Sequence, residues 1–214
     1  LPARATVNAV ARRRGKGAAV TAGFEALSTD VYAFADADGA TPADSMADVV
    51  RPVVDGAAAL AVGSRRHPDA EVLGHQTFAR RLLGDGFAWL ARRLLDPALY
   101  DYQCGAKALD AETWAAVREG LHEAGFAWDI ELIALAGALD RRVIEVPVRW
   151  GDAPGSTVEP VSTSLALLRG LVRSRHRARR LRDDGLQAHV AGRLADRGRP
   201  ALVDRPGVGV EADE

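Results

Sequence analysis

The strongest constraint on the fold of this chain is an alternation. Between residues 16 and 150, short apolar runs take turns with helix-like segments, and Gly, Pro or Asp breaks each junction. Strands interleaved with helices predict an α/β sheet with helices packed on it. Gly17 to Leu27 predicts a short helix, and Val31 to Ala35 an apolar strand running into an acidic turn. Pro42 opens the next helix, where a missing N–H costs nothing, and that helix runs to about Val54 before Gly56. Ala57 to Val62 predicts a second buried strand. Residues 77 to 95 repeat Phe78, Leu82, Trp89, Leu90 and Leu94 near helical spacing. Ala111 to Arg118 and Ile130 to Leu139 predict helices, and Val143 to Trp150 a strand that Pro147 pushes toward a sheet edge. Leu165 to about Leu181 predicts a final basic helix. The chain thus divides into a domain over 1–160, a basic amphipathic helix over 161–182 and a loosely ordered tail over 183–214.

Composition removes several classes. The 214 residues are 48% hydrophobic and 27% charged, enough to bury one core and unlike a disordered or collagen-like polymer. No apolar run approaches the roughly 18 to 20 residues that cross a bilayer. A lone cysteine, Cys104, forms no internal disulfide, is expected as a small buried filler, and points to a reducing compartment. There is no Cys/His spacing for zinc. With 28 basic residues against 29 acidic ones, electrostatic partners must meet local patches. Two exist: residues 1–24 hold five basic side chains and no acid, and residues 165–182 hold seven arginines and no acid. Neither interleaves the aromatics of a single-strand binder, so nucleic acid is not an expected partner.

The segment Phe34-Ala35-Asp36-Ala37-Asp38-Gly39-Ala40-Thr41 ends an apolar strand in two carboxylates. Residues two apart on a strand point the same way. Asp36 and Asp38 are therefore candidate ligands for one hard divalent cation, Mg²⁺ or Mn²⁺, with coordination positions left for a diphosphate. Ligands in open α/β sheets sit beyond the carboxyl ends of strands, where this pair falls. A solvated turn closed by an Asx hydrogen bond uses the same residues. A haloacid-dehalogenase reading fits less well, because Ala40 stands where a Thr or Val is needed.

The pair has company in fixed order. Gly15-Lys16-Gly17-Ala18-Ala19-Val20 with Gly23-Phe24 precedes it, and Gly63-Ser64-Arg65 follows. Then come Asp101-Tyr102-Gln103-Cys104-Gly105-Ala106-Lys107, Gly125-Phe126-Ala127-Trp128-Asp129-Ile130-Glu131, Glu145-Val146-Pro147-Val148-Arg149-Trp150, and Ser156. Over residues 15 to 175 the chain resembles the family 2 glycosyltransferases, in particular their dolichyl-phosphate glucosyl- and mannosyltransferase branch. The resemblance implies a GT-A fold, a nucleotide sugar, a divalent metal, and transfer with inversion to a polyprenyl (dolichyl) phosphate. It places Asp36 and Asp38 on metal and donor diphosphate, with Lys16 as a further donor contact. Arg65 would approach the acceptor phosphate, helped by Arg80, Arg81 and Lys107. Asp101 becomes either a base or an orienting partner for an arginine or the sugar. Asp129 joins the catalytic candidates, although Asp129 and Glu131 cannot share a helix face. A phosphate monoester is already largely anionic at neutral pH, so positioning and charge neutralisation carry most of the expected catalysis. Trp128 and Trp150 stack on ligand or fill the core.

Residues 165–182 begin with Leu165, Leu168, Leu171 and Val172 on one stripe and then turn basic with Arg173, Arg175, Arg177, Arg179, Arg180 and Arg182. Such a helix either docks on anionic headgroups or closes the core. The first choice expects a peripheral protein on the cytoplasmic face of a membrane. Family members open with a strand and a nucleobase loop that find no match here, and the chain starts with Leu1. The expected sheet is therefore an N-terminally truncated GT-A sheet with unpaired edges. The alternative function is a catalytically impaired, membrane-associated binding or regulatory remnant.

Overall fold

The computed structural model describes residues 5–73, 78–151, 160–187 and 200–205, with 78–83, 160–164 and 183–187 described as backbone only. The elements, in chain order, are α1 (Lys16–Glu25), β1 (Val31–Ala35), α2 (Ala43–Val54), β2 (Leu60–Ser64), β3 (Glu71–Leu73), α3 (Phe78–Leu94), β4 (Ala106–Asp110), α4 (Ala111–Val117), α5 (Trp128–Ala138), β5 (Val143–Pro147), β6 (Arg149–Gly151) and α6 (Pro160–Gln187). Four strands form one sheet in the order β1-β4-β2-β5. β4 runs antiparallel to both neighbours, from Val31↔Asp110 on one side and Leu60↔Leu109 on the other, while β2 and β5 are parallel from Leu60↔Val143. β1, β2 and β5 therefore point the same way. A parallel pair, β3 and β6, stands apart.

Strand alternation sorts side chains into two layers. Ala61, Ala106 and Ala108 face one side with Val49 and Val53 of α2. Leu60, Val62 and Leu109 face the other, with Trp128, Ile130 and Leu132 of α5. Phe24, Tyr32, Phe34, Trp114 and Trp128 form an aromatic cluster there, Phe24 lying edge-on to Trp114 at 5.0 Å. Every residue of α5 is buried, because the sheet covers one side and α6 packs along another.

Several expectations shift. The second strand starts at Leu60 rather than Ala57, because Ala57 and Ala58 donate their N–H groups back to the Pro52 carbonyl and finish α2. The predicted strand over Val143–Trp150 breaks at Val148 into β5 at the sheet edge and β6 in the small sheet. β3 and β4 carry no sequence expectation at all. The stripe on α6 is corrected too: Leu167, Gly170, Leu171, Ser174 and Ala178 pack inward, whereas Leu165, Leu168 and Val172 face solvent. Part of the supposed tail docks: Leu202 is fully buried, its N–H on the Leu121 carbonyl, and Arg205 reaches the His122 carbonyl at 2.7 Å. No helix among the described residues is long and apolar enough to cross a membrane.

Candidate functional site

Asp36 follows the last residue of β1, Arg65 follows the last residue of β2, and β4, running the other way, brings Lys107 near its start. Asp129 opens α5 beside them. Four charges alternate in a row. Lys107 Nζ donates to the Cys104 carbonyl at 2.7 Å and to Asp129 Oδ1 at 2.8 Å. Asp129 Oδ2 takes Lys16 Nζ at 2.9 Å, and Lys16 Nζ reaches Asp36 Oδ1 at 3.0 Å. Side-chain exposure climbs along the row, from 0% at Lys107 and 2% at Asp129 to 15% at Lys16 and 45% at Asp36. Only the outer end can meet a ligand. Burial alone would lower the Lys16 pKa, but Asp129 and Asp36 outweigh it and hold the ammonium above its ordinary value. Phe34 lies between the lysines, its centroid 5.3 Å from Lys16 Nζ and 5.8 Å from Lys107 Nζ.

Local sequence explains this placement. A Cβ on Gly17 would lie 2.4 Å from the Glu123 carbonyl and 2.6 Å from the Trp128 Cβ, so only glycine lets α1 start against the loop before α5. A Cβ on Gly105 would lie 1.9 Å from Asp36 Oδ2, so the Asp36 carboxylate occupies the space a side chain would fill. The Asp36 N–H also donates to the Gly105 carbonyl at 2.8 Å.

Arg65 and Asp101 form a two-pronged pair: Arg65 Nε donates to Oδ2 at 2.7 Å and Nη2 to Oδ1 at 3.1 Å, with the Arg65 N–H on Oδ2 at 3.2 Å. Burial would raise the Asp101 carboxyl, but the Arg65 charge, its hydrogen bonds and the Gln103 N–H hold it well below the usual carboxylate range. The guanidinium is held well above its own. Paired in this way, Asp101 orients the Arg65 guanidinium, the second of the two roles open to it. Arg65 also lies over Trp150 at 5.6 Å and keeps 24% exposure, with Nη1 on no protein acceptor among the described residues. Glu145 on β5 holds the loop below: its carboxylate accepts from Tyr100 N at 2.8 Å and Asp101 N at 2.7 Å. No role for Glu145 was foreseen, though a carboxylate among the apolar side chains of a strand is a visible signal.

Other candidates separate. The strand ends at Ala35, so the two-residue rule does not govern Asp36 and Asp38. Both are exposed, Asp36 turned onto Lys16 and Asp38 Oδ1 accepting the Ala40 N–H at 3.0 Å, the Asx turn. Lys107, named as a phosphate contact, is instead sealed beneath the site by Asp129. Asp129, named as catalytic, is likewise buried and holds two lysines. Glu131 faces away, accepting the His122 and Glu123 N–H groups at 2.7 Å and pairing with Arg177, and burial raises its pKa. Burial pushes the Cys104 thiol up to about 11, as befits a filler. Trp128 is core. The side chains of Arg80 and Arg81, and Ser156, lie outside the described residues.

Asp36 and Asp38 are exposed carboxylates, the donor type a hard divalent cation takes, with Asp36 held on Lys16 and Asp38 on the Ala40 N–H. Among the described residues no third side-chain ligand joins them.

The fold is similar to that of glucosyl-3-phosphoglycerate synthase from Mycobacterium tuberculosis in complex with phosphoglyceric acid, with TM-score 0.54 and 20% identity over 78% of this chain and 57% of that one. The same synthase with uridine diphosphate gives TM-score 0.50 at 23% identity, over the same shares. The architecture is that of the GT-A glycosyltransferases. The family model for glycosyl transferase family 2 matches residues 2–108. The dolichyl-phosphate beta-glucosyltransferase of Dictyostelium discoideum is 31% identical over 170 residues, 78% of this chain and 52% of that protein. That of Mus musculus is 34% identical over 154 residues, 70% of this chain and 48% of its own length. The chain belongs to glycosyltransferase family 2. It spans about half the length of these relatives.

Proposed function

We propose that this chain acts as an inverting, metal-dependent glycosyltransferase that moves a hexose from a nucleotide sugar to dolichyl (polyprenyl) phosphate. The observation that carries the reading is the placement of Asp36 and Arg65 directly after β1 and β2, a carboxylate for the donor side and a guanidinium for the acceptor side at the carboxyl ends of parallel strands. The names of the relatives support glucose and dolichyl phosphate.

Asp36 and Asp38 would hold Mg²⁺ or Mn²⁺, which supplies charge stabilisation for the departing diphosphate. Lys16, fixed by Asp129, sets a positive charge beside that diphosphate. Arg65 presents Nη1 to the acceptor phosphate while Asp101 fixes the plane of the guanidinium, so the acceptor oxygen is oriented toward the sugar. A monoester phosphate is its own nucleophile, which agrees with the absence of a free base at Asp101. The exposed Leu165, Leu168 and Val172, flanked by Arg169 and Arg173, form the face of α6 that docks on anionic headgroups of the cytoplasmic leaflet. Arg177, expected on that face, turns inward to Glu131.

Calorimetry with UDP-glucose and Mn²⁺ tests the reading. Metal-dependent binding that Asp38→Asn abolishes supports it, and unchanged metal and donor affinity in that variant removes the assignment. Vesicle binding without any donor binding would favour the regulatory remnant.

A further inference from the structure

A cleft of about 440 Å³ opens where the C-terminal end of α3, the middle of α5 and the basic half of α6 meet. Its charged lining is four guanidinium groups, Arg93, Arg175, Arg179 and Arg182, against one carboxylate, Asp96. The cleft meets α5 at Ala134, about 7.5 Å further along the helix than Asp129 at about 1.5 Å per residue. None of Lys16, Asp36, Asp38 or Arg65 lines it.

The four arginines are not equivalent. Arg175 Nη1 donates to the Leu94 carbonyl at 3.1 Å and so closes the end of α3. Arg182 reaches Asp96 at 3.0 Å and Asp140 at 3.3 Å. These two heads are tied to the protein. Arg93 only stacks on Trp89, at 5.3 Å, and Arg179 has no partner among the described residues. Both are exposed. Asp96 and Asp140 offset Arg182, but Arg93, Arg175 and Arg179 still share the concavity with no carboxylate partner among the described residues, which is unfavourable unless an anion joins them. Planar guanidinium forks match phosphate oxygens two at a time, which neither chloride nor a single carboxylate exploits as fully. The volume lies in the range of small-ligand sites.

We propose that this cleft is a second, metal-independent anion site that takes a phosphate-bearing group, with Arg93 and Arg179 as the ligand-seeking heads and Arg175 and Arg182 as the fixed walls. The chemistry is shared by a free diphosphate and by a lipid phosphomonoester headgroup, and it stands whether or not the transferase reading does.

The test is calorimetric titration of the full chain in EDTA, which silences metal-dependent donor binding. One arm uses inorganic pyrophosphate, the other a short-chain phosphatidic acid below its micellar concentration. Arg93→Gln/Arg179→Gln should weaken binding about tenfold or more, because two charge-assisted contacts are lost. Arg51→Gln, on the exposed side of α2 and outside the cleft, should bind as the unaltered chain does. Arg93 and Arg179 make no ion pair among the described residues, so circular dichroism should show the double variant folded. Binding of pyrophosphate lost in the double variant identifies a free-phosphate site. Binding of the lipid alone, lost in the same variant, identifies a headgroup site. Binding of neither probe, or equal binding by the double variant and the unaltered chain, overturns the proposal.

Discussion

Asp101 and Arg65 are closed on one another, and that pairing has a definite sign with pH. The carboxyl is depressed in the folded chain, so its stabilisation is complete above the ordinary value of 3.8 and drains away as pH falls below it toward the folded pKa. Asp101→Asn should therefore cost about 3 kcal/mol at neutral pH, by leaving a half-buried guanidinium without its anion. Urea midpoints of this variant should also vary less below pH 4 than those of the unaltered chain; parallel curves would place the acid sensitivity elsewhere. At this scale the sequence was partly legible. The Asp36 turn, Arg65 and Lys16 stand out by residue type and neighbours. The burial of Lys107 does not, because its partner Asp129 lies 22 positions away and only folding of β4 against α5 brings them together. Alternation within Ala106-Lys107-Ala108-Leu109 did place Lys107 on the same side as Leu109, the α5 side, had β4 been foreseen.

The first five helices lie within about two residues of the bounds that Pro42, Gly56 and the apolar periods predict, whereas α6 runs Pro160–Gln187, beyond the expected Leu165 and Leu181 at both ends. Strands were harder. β4 is built on Ala-Lys-Ala, which lacks the β-branched and aromatic residues that announce a strand, and it exists because β1 and β2 flank it. For α6 the period was right and the face was wrong: two leucine rows wind along it, and only α5 decides which is covered. Leu171→Ala should accordingly destabilise by about 2 to 5 kcal/mol, as for a core leucine. Leu168→Ala should change stability by less than about 0.5 kcal/mol. Thermal or urea unfolding of the pair measures the contrast, and equal losses would mean that both rows are packed.

On the scale of the whole molecule, charge is nearly balanced, so the proposed docking on acidic vesicles would rest on a local patch, the outer face of α6, and not on net attraction. Sedimentation with phosphatidylserine vesicles should fall on raising salt, and fall further with Leu168→Asp/Val172→Asp. Binding indifferent to both changes would detach α6 from the membrane. The order β1-β4-β2-β5, with one reversed strand, was invisible beforehand because pairing direction depends on contacts far apart in the chain. The seat of Asp36 over Gly105 has a practical corollary for this architecture. A single added methyl, Gly105→Ala, would evict the Asp36 carboxylate and leave the sheet and the helices in place. Such a protein should melt like its parent and yet no longer respond to Mn²⁺ and UDP-glucose. On the proposed function, the distance between a working and a silent copy of this fold is then one carbon atom, at a position with no chemistry of its own.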